Sequence, residues 1–237
     1  MSARSGRPDE RLLLHGVTLE DADLSGRRLD QISVANGSRL VRCDFRKAKV
    51  RGGGLGGGFE PSFYIDCVFD GAHLKQLIPG RASFVNCSFR NVKIEKMMCH
   101  EAEFVDCVFS GLLRDVTFSA TPWDNERLGR TRNEYRGNDL TGARLEGVSF
   151  RGGIDLDLQR LPIGDEYLLV RDAAQVLERA RAEVASWPED ELKMDANPPL
   201  SVLESDCNSG QKDIFVEKRF LGRLPETVSR LVPLLGE

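Results

Sequence analysis

The sequence predicts a coiled β architecture over its first two-thirds and a small helical segment after it. Three observations carry this. The motif FVNCSF (84–89) returns as FVDCVF (104–109) twenty residues later and is preceded by YIDCVF (64–69) twenty residues earlier. Inside that interval the pattern repeats every five residues. After about residue 156 the five-residue period stops, and apolar residues fall at helical spacing instead.

The five-residue period is clearest between 82 and 111. Phe84, Phe89, Ile94, Cys99, Phe104 and Phe109 stand five apart, and Ala82, Cys87, Val92, Met97, Ala102 and Cys107 stand two before them. A spacing of two puts both side chains of a pair on one face of an extended strand. A helix would want neighbours at three and four. Two after each central residue come Asn86, Asn91, Lys96, Glu101, Asp106 and Gly111, residues suited to an outward corner. Each pentapeptide therefore reads as a short strand and a turn with two side chains inward.

The segments ADLSG (22–26), CDFRK (43–47), CVFDG (67–71), CSFRN (87–91), CVFSG (107–111), NDLTG and ARLEG (138–147) resemble the pentapeptide-repeat family, whose usual pattern is A-[DN]-L/F-x-x. The resemblance covers roughly residues 12–156 and is specific because it is periodic. It implies a right-handed four-sided parallel β-helix with four pentapeptides per coil, adjacent coils lying about 4.8 Å apart. Phe45, Phe69, Phe89 and Phe109 then stack on one side, with Cys43, Cys67, Cys87 and Cys107 beside them. LEDADL (19–24) and LVRCDF (40–45) continue the same side at intervals of 21 and 24, so residues are inserted near ANGS (35–38) and in RGGGLGGGF (51–59). Toward the carboxy terminus LEGVSF (145–150) fits the same alignment, for about six coils in all. The domain reading is a flexible tail at 1–11, the coil at 12–158 with a loop excursion at 119–137, and a helical cap or dimerisation segment at 159–237.

Four cysteines in one column invite a metal reading. Zinc–thiolate bonds of about 2.3 Å need sulfurs that converge. Four rungs at about 4.8 Å spread them over roughly 14 Å. No C-x-x-C pair exists, so the cysteines read as small core residues, with no metal or other cofactor expected. The opening residues MSARSGRPDE carry no apolar stretch of a secretory signal. The six cysteines are accordingly expected as thiols in a reducing cytoplasm.

RGGGLGGGFE (51–60) contains G-x-G-x-x-G, but a strand pattern follows where a dinucleotide site needs a helix. It reads as a flexible corner insertion. His15, His73 and His100 flank central positions, should face solvent, and have no carboxylate partner that the repeat suggests. There is no G-x-S-x-G elbow, and the chain is not expected to be an enzyme. The excursion SATPWDNERLGRTRNEYRG (119–137) carries Trp123, Arg127, Arg130, Arg132, Tyr135 and Arg136, residue types that favour a protein contact. Asp124, Glu126 and Glu134 dilute its charge, which argues against direct nucleic-acid binding.

The chain has 237 residues and a net charge of −4. Residues 1–155 hold 23 Lys+Arg and 21 Asp+Glu, and residues 156–237 hold 10 and 16. Neither part predicts a nucleic-acid or membrane partner by bulk field. Leu169, Ala173, Val176, Leu177, Ala180, Val184 and Trp187 trace one helical stripe over 164–188. Further helices are predicted at about 209–220 and 225–232, with NPP (197–199) marking a break.

Three functions remain in view: a non-enzymatic protein-binding module, a structural or assembly protein acting through its helical segment, and an enzyme, the least favoured. Members of the family it resembles bind DNA gyrase by imitating duplex DNA. The resemblance therefore implies a protein partner, gyrase or another type II topoisomerase, with a role in antibiotic resistance, and a homodimer formed through the carboxy-terminal segment.

Overall fold

The structure, a computed structural model, describes residues 10–123 and 129–236. The described residues from 10 to 160 wind into a parallel β-solenoid of about five turns. Its first side holds the strands Arg11–His15, Gln31–Ala35, Gly53–Gly57 and Leu77–Ile78. The second holds six, from Thr18–Glu20 through Arg39–Val41, Ser62–Ile65, Ala82–Val85 and Glu103–Val105 to Tyr135–Arg136. The third is linked by single bridges, Asp23 to Asp44, Asp44 to Val68 and Val68 to Ser88. The fourth runs from Arg28–Leu29 through Lys49–Val50 and His73–Lys75 into the long strands Ser88–Cys99, Val108–Ser119 and Asp139–Glu146, the first two of which turn at left-handed Lys96 and Asp115 to carry residues 97–99 and 116–119 onto the first side. Six rungs on one side bound about five full turns, which corrects the count of about six coils.

All twelve apolar or small residues of the 82–109 register are buried, none more than 3% exposed. The rings of Phe45, Phe69, Phe89 and Phe109 stack face to face at 4.7 to 4.9 Å. Tyr64, Phe84 and Phe104 form a second stack at 4.6 and 4.8 Å. The repeat thus places large rings on adjacent rungs, where each ring's burial is worth about 1.5–3 kcal/mol. The corner after the second side is left-handed in each rung that ends on Asp21, Arg42, Asp66, Asn86 or Asp106. Asn91, Lys96 and Gly111 are also left-handed; Glu101 is not among these residues. Asn and Asp tolerate that conformation better than most side chains.

Register partners Leu19, Leu40, Tyr64, Phe84 and Phe104 reproduce the intervals read from the sequence. The next partner is Tyr135, 31 residues on. Tyr135 and Leu140 therefore continue the two ring columns, and the alignment of 145–150 to them is corrected. Leu145 pairs with Leu113 on the fourth side, and Phe150 stacks on Phe118 on the first. The physical cause is the excursion, which ends where Asn133 N–H donates to the Ala120 carbonyl at 2.7 Å.

The glycine-rich stretch is not a flexible corner. Gly53–Gly57 is a strand held between Gln31–Ala35 and Leu77–Ile78, with a register shift that absorbs inserted residues. Glycine is needed because Gly53 has φ +129° and a Cβ there would run into the Ile32 carbonyl. At Gly56 a Cβ would strike the backbone of Arg81 and Ala82.

The cysteine column has its own bonding logic. The thiols of Cys43, Cys67, Cys87 and Cys107 lie 3.3 to 3.6 Å from the carbonyls of Leu19, Leu40, Tyr64 and Phe84, one rung below. At the next two rungs Asn138 and Gln159 donate side-chain amides to Phe104 and Tyr135 in the same way, at 2.8 and 2.9 Å. The position takes a small buried donor, and cysteine is a weak donor that also tolerates an apolar core.

Past the coil, a strand Tyr167–Val170 precedes helix α1 (Ala173–Ser186), followed by α2 (Asp190–Asn208), a strand Ile214–Glu217 and α3 (Pro225–Leu235). Three expectations are corrected here. The stripe over 164–188 begins as a strand, because Tyr167–Val170 pairs antiparallel with Ile214–Glu217. That same pairing replaces the helix expected at 209–220. Residues 197–199 do not break the chain, since Pro198 and Pro199 lie inside α2. Burial of Ala196, Pro199, Leu200 and Leu203 outweighs the helix-breaking cost there. Arg181 of α1 also bonds Asn197, Ser201 and Glu204 across the pair of helices. Asp195 of α2 accepts from Arg223 N–H and Leu224 N–H at the start of α3.

Candidate functional site: the cleft between coil and helical segment

The helical segment meets the last coil along the hairpin. Tyr167 and Phe215 join the coil's apolar core, and the Tyr167 hydroxyl accepts from Leu145 N–H at 2.9 Å. Gln211 accepts from Gly153 and Ile154 N–H and donates back to the Ile154 carbonyl. Between these contacts remains a cleft of about 510 Å³. One wall is the coil, through the outward column Met98, Thr117 and Ser149; the other comes from Val202 and Leu203 of α2, Val216 and Phe220.

The cleft is mainly apolar, but its lining includes an ion pair. Asp206 of α2 has a side chain 4% exposed, and its carboxylate lies 2.7 Å from Arg151 Nε. The two atoms are close but not aligned as a hydrogen bond. Burial pushes the Asp206 carboxyl up to about 6, against the pull of Arg151. Neither histidine nor cysteine is among the lining residues, and Ser149 faces Thr117, not a base. At the rim, Met98 is 54% exposed, and Val202 and Phe220 are each 38% exposed. Met194, 69% exposed, extends this apolar rim along α2.

The residues singled out in the excursion separate into different roles. Trp123 is exposed and stacks on His100 with ring centres 3.8 Å apart. Burial and Arg151 lower the His100 pKa. Arg130 is tied to the coil wall, bonding Glu103, the Glu101 carbonyl and Asn133. Arg132 donates to the Gly153 carbonyl, and Arg136 pairs with Glu134 and reaches Asp106. Tyr135 is not a surface contact residue: it is buried, and its hydroxyl donates to the Cys99 carbonyl. Arg127 lies outside the described residues.

Among the histidines, His15 is exposed and bonds Ser33. His73 is corrected, for it bonds Glu95 at 2.8 Å. This contact and Lys93 hold the Glu95 carboxyl down to about 2. The cleft is not legible in the sequence because its walls come from segments about fifty to one hundred and twenty residues apart.

Cys43, Cys67, Cys87 and Cys107 are buried within 1% exposure, as are Phe45, Phe69, Phe89 and Phe109 within 2%. In architecture the chain is a parallel β-solenoid built on a five-residue repeat, and it carries a carboxy-terminal helical segment. No family model matches the chain, and no curated protein matches it. Solved structures similar to it are pentapeptide-repeat proteins. One is HetL from the cyanobacterium Nostoc, described as involved in heterocyst differentiation regulation, at 16% identity over 66% of this chain and 73% of that one, TM-score 0.32. Another is QnrB1, a plasmid-mediated fluoroquinolone resistance protein in a trypsin-treated form, at 16% identity over 65% and 79%, TM-score 0.34. At these values the fold rests on the register of the chain itself.

Proposed function

We propose that this protein is a non-enzymatic protein-binding module that works in the cytoplasm and receives its partner on the cleft rim. The observation that supports this reading is the exposed apolar rim of Met98, Met194, Val202 and Phe220 around a cleft with an apolar lining. Exposed apolar residues gathered at one place favour a protein contact. A structural or assembly role uses the same rim with a second copy of the chain as occupant.

The narrower candidate, drawn from the family resemblance, is DNA gyrase or another type II topoisomerase. Imitation of duplex DNA would need dense acidic rows. The corner row holds Asp21, Asp66 and Asp106, but Arg42 pairs with Asp21 and Arg136 reaches Asp106. A topoisomerase contact through the apolar rim fits this surface better than one through charge imitation. The test is affinity capture from lysate with the wild-type chain and with Met98→Glu/Phe220→Glu, beside a gyrase supercoiling assay with and without a quinolone. The reading expects a specific protein captured by the wild type and lost by the variant. Capture unaffected by the variant removes the rim from the mechanism, and no effect on supercoiling removes gyrase. Elution of the wild type as a dimer and the variant as a monomer favours the assembly reading.

A further inference from the structure

The outward residues of the fourth side form two parallel columns with opposite characters. In the first, register partners run Arg28 to Lys49, Lys49 to His73, His73 to Lys93, Lys93 to Leu112 and Leu112 to Arg144. Every titratable member of that column is basic. In the second, Asp30 bonds Arg51, while Lys75, Glu95, Arg114 and Glu146 follow one another as register partners. That column contains three acids and three bases. The side as a whole carries seven Lys or Arg against three acids, a net of +4 on a chain whose total is −4.

The contrast between the columns is informative. Like charges directly opposite on neighbouring strands are destabilising, and alternation removes that cost. The second column alternates in sign over Lys75, Glu95, Arg114 and Glu146 on this same side of the coil. In the first, every charged residue is basic: Arg28 and Lys49 stand on adjacent rungs, and Lys93 and Arg144 follow beyond His73 and Leu112. Glu95 reaches over to His73 and Lys93, and Glu146 to Arg144. Arg28 and Lys49 have no acidic partner among the described residues, and both are exposed. This column, some 24 Å long and basic wherever it is charged, is thus only partly answered from within the molecule.

We infer that this column is a docking site for an extended acidic polypeptide segment laid along the solenoid axis. The stripe is one side chain wide and has a neutral neighbour, so it does not offer the two charged rows that would follow both strands of a duplex. Single-stranded nucleic acid binding uses aromatic platforms for its bases. The outward residues of these columns include no Phe, Tyr or Trp, and their one imidazole, His73, is engaged by Glu95. An extended peptide presents alternate side chains about 6.8 Å apart, so the column spans about seven residues and meets three or four acids. The long Lys and Arg side chains absorb the difference from the rung spacing. This site lies on a different side of the coil from the apolar rim column at Met98, and the two inferences stand or fall separately.

The test is fluorescence anisotropy with a labelled peptide of alternating glutamate and serine, at low and at physiological ionic strength. The comparison ligands are a neutral peptide and a single-stranded oligonucleotide. The wild type should bind the acidic peptide and lose affinity steeply with salt. Lys49→Glu/Lys93→Glu should weaken binding by about tenfold or more, the scale of a small number of lost charge contacts. Arg11→Glu/Arg39→Glu, which makes the same charge change on other sides, should leave it near the wild-type value. Thermal melts establish that each variant is folded; if the reversed pair is not, Lys49→Gln/Lys93→Gln serves with the same readout. No binding of the acidic peptide at about 100 µM overturns the inference. So does equal weakening by the control pair, or tighter binding of the oligonucleotide than of the peptide.

Discussion

Phe89→Ala tests whether the stacked rings hold the coil together. Phe89 lies between Phe69 and Phe109 with centroid distances of 4.7 and 4.9 Å, and meets Phe84 and Phe104 edge-on at 5.8 and 6.2 Å. Removing a buried phenylalanine ring generally costs about 3–5 kcal/mol, with the larger values where the site does not collapse. Here the neighbouring rungs are pinned by backbone bonds, Phe69 N–H to Ser88 at 2.7 Å and Val108 N–H to Cys87 at 3.1 Å. The cavity therefore stays open, and the cost should fall near the upper end, about 4–5 kcal/mol. Phe89→Leu keeps most of the volume and should cost about 1–1.5 kcal/mol. Urea unfolding followed by circular dichroism, with the slope checked against the wild type, measures both. A loss below about 1 kcal/mol for the alanine variant would refute the rigid-rung argument.

Three further outcomes follow. Asp206, with its carboxyl raised from 3.8 to about 6, binds a proton more readily folded than unfolded. Its contribution is present below about pH 4 and lost as pH rises to about 6, amounting to about 3 kcal/mol. The stability difference between wild type and Asp206→Asn should drift by that order across this window, and a flat difference in urea melts would contradict it. Cys43, Cys67 and Cys87 are raised, Cys67 chiefly by its contact with Cys87, Cys87 by that with Cys107, and Cys43 by burial. Labelling of these thiols in the native protein should be far slower than that of half-buried Cys207 and become fast on denaturation; comparable native rates would contradict the buried column. Cutting the chain after Leu158 removes the hairpin and exposes the last rungs, so the shortened chain should aggregate; a monomeric product melting like the full chain in light scattering and thermal scans would rule this out.

Much of the coil is legible in the sequence because its period is local. Two inward residues per pentapeptide and a polar corner place Phe84 and Cys87 without knowledge of the rest. Even the insertions surface as intervals of 21 and 24 between Leu19, Leu40 and Tyr64. Tyr135 escapes because the excursion shifts its register to 31 residues from Phe104. The pair His73 and Glu95 was readable in principle, since one precedes and the other follows a central residue on adjacent rungs. The strands at 167–170 and 214–217 are not legible, for each is four residues long and finds its partner more than forty residues away. In α2, tertiary burial overrides the usual reading of two adjacent prolines. The cleft is lined by that hairpin and by α2, so it stays hidden in the sequence while the coil is plain.

The central claim is that the protein acts by non-covalent recognition at the rim where the coil meets the helical segment. Hydrogen exchange of the full chain, alone and with its captured partner, tests this most directly. The account predicts added protection at residues 96–98, 198–206 and 214–221, with little change on the second side of the coil. Protection confined to the second side, or none at the rim while the complex is intact, would contradict it.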